Sequence, residues 1–244
     1  MAHINTTKGK FYYRPITLYD GMKPMNKDIA IRNLKEVIDF LNIRGIKAHP
    51  LSGTMLGMVR EHDFIEWDED IDFFILKEDE EKWKDALWDL KEIGFELVRY
   101  YRRGLYSIMR EGEYIDFYVM YKVANDIRTT SESFMFEKYI TDTITIDFKG
   151  VKVEIPRDYD EYLTFLYGDW RTPVQFSNYE KSWWQRKKLV AKLWLTNHLP
   201  DRLYYPLLKK RHQTNLDKFK AKCKTKGIKL PAEFSLDEYT NNDE

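Results

Sequence analysis

The sequence predicts an α+β domain in which helices flank a mixed or antiparallel β-sheet, followed by a C-terminal helical extension. Amphipathic periodicity predicts helices early in the chain, and apolar segments of strand length lie between and after them. Three of these segments follow one another with only short turns between them, an order that favours paired strands with helices to one side. At 244 residues, the chain is long enough for one such domain with an appendage.

Two long helices are predicted from capping residues and apolar spacing. Asn26 is a residue type that caps helix N-termini, and apolar residues recur at helical spacing from Ile29 until Gly45. A second amphipathic helix is expected from about Asp79 to Ile93, before Gly94. Both helices have one apolar face with which to cover a sheet.

The other elements are predicted in the same way. Strands are expected at 46–51, 70–76, 95–101, 105–110 and 114–121, with a hairpin at 143–155. Further helices are expected at 54–60, 158–167, about 179–198 and 202–223. We therefore divide the chain into an N-terminal arm that lacks clear periodicity and is expected to pack on the body (1–26), the body itself (27–180), a basic helical extension (181–229) and an acidic tail (230–244).

Composition narrows the class of protein. The chain is 43% hydrophobic and 33% charged with a formal net charge of zero, so its average charge indicates no polyanionic partner, and no nucleic acid is expected. Cys223 is the single cysteine, which excludes an internal disulfide and a thiolate zinc site. The N-terminus lacks the apolar core of a signal peptide, and no segment approaches the ~18 apolar residues of a membrane span. The expected location is the cytoplasm.

Carboxylates form the first candidate site. Asp70 and Asp72 flank Ile71 at the start of an apolar strand, so their side chains share one face. Asp116 lies in another apolar strand, where a buried carboxylate needs a partner. If the two strands are neighbours, three carboxylates converge, and oxygen ligands of this kind suit Mg²⁺ or Mn²⁺. The alternative is a solvated acidic edge, which is the usual role of a run of charges.

A turn next to these acids is the second candidate. Gly53 and Thr54 begin a short helix whose free N–H groups would bind a phosphate, although a plain helix start has the same pattern. Arg60, on the same helix, would contact a phosphate or pair with Glu61 or Asp63.

Two other groups of residues are less specific. Four tryptophans are candidates for lining a pocket that binds a quaternary ammonium group. They are Trp67, Trp170, Trp183 and Trp184, and the alternative is that they occupy ordinary core positions. The segment Lys181 to Lys229 carries 15 Lys and Arg against 2 Asp and Glu. It is either the solvated face of two helices or a peripheral contact for anionic lipid.

Three separated motifs resemble the LicD family, which includes bacterial phosphocholine transferases and fukutin-type enzymes and has the nucleotidyltransferase fold. They are LSGTMLGMVR (51–60), DFIEWDEDID (63–72) and IPRDYDEYLTFLYGDW (155–170). The resemblance implies that Asp70 and Asp72 hold Mg²⁺ and that Gly53 and Thr54 contact the phosphates of a donor. It implies that Asp116 completes the metal site or accepts the proton of the attacking hydroxyl.

The resemblance also implies an activity. Members of this family move a phosphorylated headgroup from a CDP-linked donor to a glycan hydroxyl and release CMP. For this chain the favoured headgroup is phosphocholine, and the expected acceptor is a cell-surface or lipid-linked glycan such as lipopolysaccharide or teichoic acid. Two alternatives remain open: a true nucleotidyltransferase that releases pyrophosphate, and a catalytically inactive binding module.

Overall fold

The computed structural model describes residues 2–17, 23–130, 133–175 and 182–236. The strands within these ranges are β1 (Ala2–Thr6), β2 (Gly9–Tyr13), β3 (Ala48–Pro50), β4 (Ile71–Leu76), β5 (Glu96–Tyr101), β6 (Leu105–Arg110), β7 (Glu113–Ala124), β8 (Ile127–Thr129), β9 (Phe134–Phe136), β10 (Thr143–Phe148) and β11 (Val151–Pro156). The helices are α1 (Lys27–Ile43), α2 (Ser52–Arg60), α3 (Glu80–Glu92), α4 (Lys138–Thr141), α5 (Tyr159–Tyr167), α6 (Trp183–His198) and α7 (Asp201–Thr225).

The main sheet is mixed. Its strands run in the order β3-β4-β7-β6-β5, and β8 and β9 extend it from β7. Strands β4 and β7 are parallel, and all the other pairs are antiparallel. Strands β1 and β2 form a separate hairpin, as do β10 and β11. The predicted α+β class with a mixed sheet is therefore confirmed.

Strands β4 and β7 form the centre of the core. Phe73 on β4 and Phe117 on β7 are fully buried neighbours in register. Trp83 of α3 packs on Phe117, with 4.2 Å between the ring centroids. Side chains alternate across a strand, so residues 72 and 116 project from the face opposite this aromatic layer.

The predicted helix cap at Asn26 is present. Its Oδ1 accepts hydrogen bonds from the N–H groups of Asp28 and Ile29 at 3.2 and 3.3 Å, and this satisfies donors of the first turn of α1. The helix ends at Ile43, and Gly45 follows with a φ of 65°, a conformation that glycine adopts without strain.

The N-terminal arm contains the β1–β2 hairpin, for which no strands were predicted. Each of its strands buries a single residue, Ile4 or Phe11, so no alternating pattern is visible in the sequence. The short strands β8 and β9 were not predicted either, because a segment of three residues is too short to show a period.

The C-terminal extension packs against the body along α7. Phe219 of α7 stacks on Phe134 of β9 with centroids 5.3 Å apart, and it also contacts Phe136 and Phe165. The basic charge of α7 therefore lies on a helix whose inner residues belong to the same core as the sheet. The predicted start of α6 and the end of the acidic tail fall outside the described residues. In the described part of the chain, no helix combines the length and the apolar composition needed to cross a bilayer.

Gly57→Ala tests the close packing of α2 on the loop that leads to β4. A Cβ at this position would lie 2.7 Å from the backbone oxygen of Asp63 and 3.1 Å from the backbone nitrogen of Ile65. Replacing an unobstructed helical glycine by alanine stabilises by about 1 kcal/mol. Here we expect a loss of about 1–3 kcal/mol in the free energy of unfolding, measured by urea denaturation. Unchanged or increased stability would show that the helix and the loop are not in close contact.

Candidate active site

A row of polar side chains crosses four strands of the buried sheet. Asp72 of β4 lies opposite Asp116 of β7 in the register of the parallel pair. Asp116 in turn lies opposite Ser107 of β6, and Ser107 lies opposite Arg99 of β5. Residues that are directly opposite across strands project from the same face of a sheet. The strand register therefore brings together acidic and basic groups that are far apart in the sequence.

Asp70, Asp72 and Asp116 form one cluster, with one oxygen of each carboxyl group lying within 4.8 Å of the others. Asp116 is 1% exposed, whereas Asp70 and Asp72 are half-buried. Asp70 immediately precedes β4 and joins the pair formed by the register. The structure thus brings together the three acids predicted as a site, and their roles as metal ligands and catalytic groups stay predictions.

The carboxylates in this cluster destabilise one another when ionised. Burial is the largest cause that raises the pKa of Asp70 well above its usual value, followed by the negative charges of Asp116 and Asp68. The pKa of Asp72 is likewise raised well above its usual value, first by burial and then by Asp70 and Asp116. Arg99 opposes both shifts. A divalent cation would favour the ionised forms because opposite charge favours a carboxylate over its neutral acid.

Arg99 orients Asp116. Its terminal nitrogen donates a short hydrogen bond to Oδ2 of Asp116, while its Nε donates to Oγ of Ser107 at 2.7 Å. Oδ1 of Asp116 is buried and has no hydrogen-bond partner in the part of the chain that the structure describes. An unpaired buried carboxylate oxygen is unfavourable, and coordination to a hard cation would satisfy it. The residues of the cluster therefore fit a divalent metal ion held by oxygen ligands.

The start of α2 is joined to the start of β4 beside this cluster. Oγ1 of Thr54 accepts a hydrogen bond from the backbone N–H of Asp72 at 2.8 Å, and the N–H of Leu51 donates to the carbonyl oxygen of Asp72 at 2.9 Å. No side chain caps the first turn of α2. Ser52 has a φ of 51°, an uncommon conformation for a residue other than glycine. The N–H groups at this helix start suit an anion.

Gly53 allows an acidic side chain to approach this turn. A Cβ on Gly53 would lie 2.7 Å from Oδ2 of Asp68, so a larger residue would displace that carboxyl group. Burial is the main cause that raises the pKa of Asp68 to about 6. Of the predicted phosphate contacts, Gly53 and Thr54 therefore lie next to the acids, with the Thr54 hydroxyl bonded to Asp72.

Arg60 adopts one of its two predicted alternatives. Its Nε donates to Oε1 of Glu61 at 2.7 Å, and one of its terminal nitrogens donates to the carbonyl oxygen of Trp170 at 3.1 Å. In this arrangement the guanidinium holds the end of α2 against the segment that follows α5. A phosphate contact by Arg60 stays a prediction.

Three residues beside the cluster were not predicted: Arg99, Ser107 and Tyr167. A signal for Arg99 does exist, because an arginine inside a strand as apolar as β5 needs an acidic partner. Tyr167 belongs to the third motif, but nothing in its local sequence indicates that it lies near the acids. Burial, with added effects from Asp72 and Asp68, raises its pKa to about 12.

The four tryptophans occupy different environments, and Trp67 is half-buried against the core. Trp170 is 6% exposed, its Nε1 donates to Asp160, and the guanidinium of Arg171 lies 4.4 Å from its ring centroid. Trp183 and Trp184 are 53% and 76% exposed on α6. The rings of Trp183 and Trp184 thus face solvent. A pocket for a quaternary ammonium group stays a prediction.

Comparison with solved structures finds distant similarities. The crystal structure of the lincosamide antibiotic adenylyltransferase LnuA bound to lincomycin has a TM-score of 0.40 and 13% identity, covering 54% of this chain and 83% of that chain. The crystal structure of ANT(2")-Ia in complex with adenylyl-2"-tobramycin has a TM-score of 0.39 and 12% identity, covering 79% and 99%. A solution structure of ANT(2")-Ia has a TM-score of 0.42 and 13% identity, covering 77% and 99%. At TM-scores below 0.5 these similarities support no functional assignment.

Sequence comparison is more specific. No curated protein matches the chain in sequence. The family model described as LicD/FKTN/FKRP, nucleotidyltransferase domain, matches residues 45–158. This span contains α2, β4 and β7, and with them all three acids of the cluster. The predicted resemblance to the LicD family is therefore confirmed for residues 45–158, a span slightly shorter than half of the chain.

Proposed function

We propose that this protein is a Mg²⁺-dependent phosphotransferase, with Mn²⁺ as the alternative ion. It moves a phosphorylated headgroup, with phosphocholine favoured, from a CDP-linked donor to a hydroxyl group of a glycan, and CMP is released. The observation that carries this proposal is the buried Oδ1 of Asp116, which has no hydrogen-bond partner among the described residues and belongs to a carboxyl group clustered with those of Asp70 and Asp72. The LicD-family domain supplies the class of enzyme.

The metal would be held by Asp70, Asp72 and Asp116. When bound, it would neutralise phosphate oxygens and stabilise the leaving group. The role of Arg99 is to hold Oδ2 of Asp116, which leaves Oδ1 for the ion or, in the alternative role, for the proton of the attacking hydroxyl. Ser107 keeps Arg99 in place by accepting from its Nε.

The donor phosphates would lie at the start of α2. The backbone N–H groups of Gly53 and Thr54 are donors for phosphate oxygens, and the Thr54–Asp72 hydrogen bond keeps this turn next to the acids. Burial on the sheet and the hydrogen bonds of α2 hold these donors in place before the substrate arrives, which lowers the entropic cost of binding in the reactive orientation.

The reaction is a displacement at the phosphorus atom that carries the headgroup. The acceptor hydroxyl oxygen forms a bond to that phosphorus, while the bond from phosphorus to the oxygen bridging the two phosphates breaks. The bridging oxygen leaves with CMP, and the hydroxyl proton passes to a base, for which Asp116 is the candidate. The product is a phosphodiester between the glycan and the headgroup alcohol.

The acceptor in this proposal is a cell-surface or lipid-linked glycan, with lipopolysaccharide and teichoic acid as examples, modified on the cytoplasmic side of a membrane. The family description as a nucleotidyltransferase domain favours one second candidate, which transfers the nucleotide itself and releases pyrophosphate.

The first prediction separates these two reactions by their products. Purified protein is incubated with Mg²⁺, a glycan acceptor and CDP-choline, CDP-ethanolamine, CDP-glycerol or CDP-ribitol in turn. We expect one donor to yield CMP in proportion to the modified glycan, because the nucleotide is the leaving group. Pyrophosphate release from a nucleoside triphosphate, without CMP release from any of the four donors, would favour the nucleotidyltransferase.

The second prediction concerns the cost of holding the acids together. Asp68, Asp70 and Asp72 have raised pKa values in the folded protein. At a pH above the usual pKa of a carboxyl group, the folded protein therefore binds more protons than the unfolded chain does. Without metal, stability should therefore fall as the pH rises from about 4 through about 6, the range set by Asp68. Added Mg²⁺ should raise the Tm more at pH 7.5 than at pH 5.

Asp70→Asn and Asp72→Asn extend this prediction. Each should raise the metal-free Tm at neutral pH by roughly 2–4 °C, the shift that about 1 kcal/mol produces in a chain of this size. Each should also abolish both turnover and the Mg²⁺-induced rise in Tm. The matched control is Glu66→Gln, which removes an exposed acid from the same loop. It should change neither the turnover nor the Mg²⁺-induced rise in Tm. Full activity in either aspartate variant would refute the assigned roles.

The third prediction tests Arg99 as a positioning residue. Arg99→Lys keeps the charge but loses the paired contacts with Asp116 and Ser107, so the Mg²⁺ concentration for half-maximal activity should rise ~10-fold or more. Turnover at saturating Mg²⁺ should change much less. Arg128→Lys is a matched control, because Arg128 is buried to the same degree but pairs with Glu78 and Glu137. An equal Mg²⁺ requirement in both variants would show that the role of Arg99 is purely structural.

A further inference from the structure

Helix α6 presents large apolar side chains to solvent between lysines. Trp183, Trp184, Trp194 and Leu195 are 53%, 76%, 61% and 58% exposed. At 100° per residue these positions and three exposed lysines occupy one side of the helix. We call this surface the α6 outer face, and it consists of Trp183, Trp184, Lys187, Lys188, Lys192, Trp194 and Leu195. Such a grouping of exposed apolar side chains is uncommon on a protein surface that has no partner.

The opposite side of α6 is turned towards the body. Val190 and Leu193 line a cavity of about 330 Å³ together with residues of β5 and of the N-terminal arm, and Trp194, at the edge of the outer face, also borders it. Trp183, Trp184 and Leu195 do not line this cavity, and they are exposed to solvent.

Exposed apolar side chains also occur at the start of α7. Only Leu199 and Pro200 separate the two helices, and Leu203 and Leu207 lie in the first two turns of α7 with exposures of 49% and 55%. Leu203 and Leu207 are one helical turn apart and so project from the same side. The exposed apolar residues near the α6–α7 corner thus belong to both helices.

Charge indicates the kind of partner. The segment 181–229 carries 15 basic against 2 acidic residues, although the whole chain has no net charge. A second copy would present the same positive charge to its partner, which disfavours a symmetric contact between two such faces. A single-stranded nucleic acid would use the tryptophans for stacking, but the leucines have no aromatic face to offer. An anionic bilayer matches all three features, since its headgroups attract lysine and its interfacial region takes up Trp and Leu.

We propose that the α6 outer face, continued by Leu203 and Leu207, is a docking surface for anionic lipid bilayers. The helix lies along the bilayer surface, with Trp184, Trp194 and Leu195 entering the headgroup region. The lysines on either side contact lipid phosphates. This proposal rests on the exposed side chains of α6 and α7 and not on the proposed reaction.

The test is sedimentation of the full-length protein with lipid vesicles. We expect binding to vesicles that contain phosphatidylglycerol and weak binding to pure phosphatidylcholine, with a blue shift of the tryptophan fluorescence on binding. Lys187→Gln, Lys188→Gln and Lys192→Gln together should weaken binding about a hundredfold, from roughly fivefold for each lysine at the surface. Trp184→Ala with Trp194→Ala should weaken binding about tenfold or more and reduce the blue shift.

Two matched controls keep the result specific. Lys10→Gln, Lys23→Gln and Lys35→Gln remove the same charge from exposed positions elsewhere, and Ile43→Ala removes an apolar side chain that is 83% exposed on α1. Both should bind vesicles like the unchanged protein. Circular dichroism and the Mg²⁺-induced Tm shift establish that each variant is folded.

Three outcomes would overturn the proposal. One is equal binding to both kinds of vesicle or to neither. Another is binding to anionic vesicles that the α6 variants do not weaken relative to the controls. The last is tighter binding to a single-stranded oligonucleotide than to anionic vesicles at equal phosphate concentration, which would indicate a nucleic-acid surface.

Discussion

The structure depends on the parallel pairing of β4 with β7, because that register places Asp72 directly opposite Asp116 inside the protein. With Asp70 beside them, three carboxylates lie close enough to repel one another in a region where burial already raises the pKa values of Asp70 and Asp72. The guanidinium of Arg99, on β5, compensates part of this negative charge. The remaining negative charge favours the binding of a divalent cation. Without a cation, the same charge destabilises the cluster.

Close backbone packing determines where the other half of the site lies. Gly53 allows Asp68 to approach the start of α2, and Gly57 allows the same helix to lie against the loop before β4. The Thr54 hydroxyl then bonds to the backbone of Asp72, so the helix start and the acids are linked directly. The N–H groups of the helix start and the three carboxylates are therefore adjacent, which is the arrangement that the proposed binding of a diphosphate with a metal ion requires.

The distribution of charge explains how a chain with no net charge can have two strongly charged regions. Residues 61–85 hold 12 acidic residues against 3 lysines, and residues 181–229 are strongly basic. Asp70 and Asp72 of the acidic stretch belong to the buried cluster and Asp68 lies beside it, whereas most of the described basic side chains are exposed on α6 and α7. An enzyme with this separation would meet a lipid-linked acceptor at one surface and bind its metal and donor at another.

Local patterns in the sequence were enough to predict the helices and strands with clear periods, the Asn26 cap, the resemblance to the LicD family and the three acids. It did not determine the partner of Asp116, since Arg99 and Ser107 reach it through strand pairings that span many residues. The N-terminal hairpin was also missed, because one buried residue per strand leaves no period to detect. The pairing of Arg60 with Glu61 and the exposure of the α6 tryptophans to solvent follow from the tertiary structure. Contacts of this kind depend on the packing of whole elements, which no local pattern of residues records.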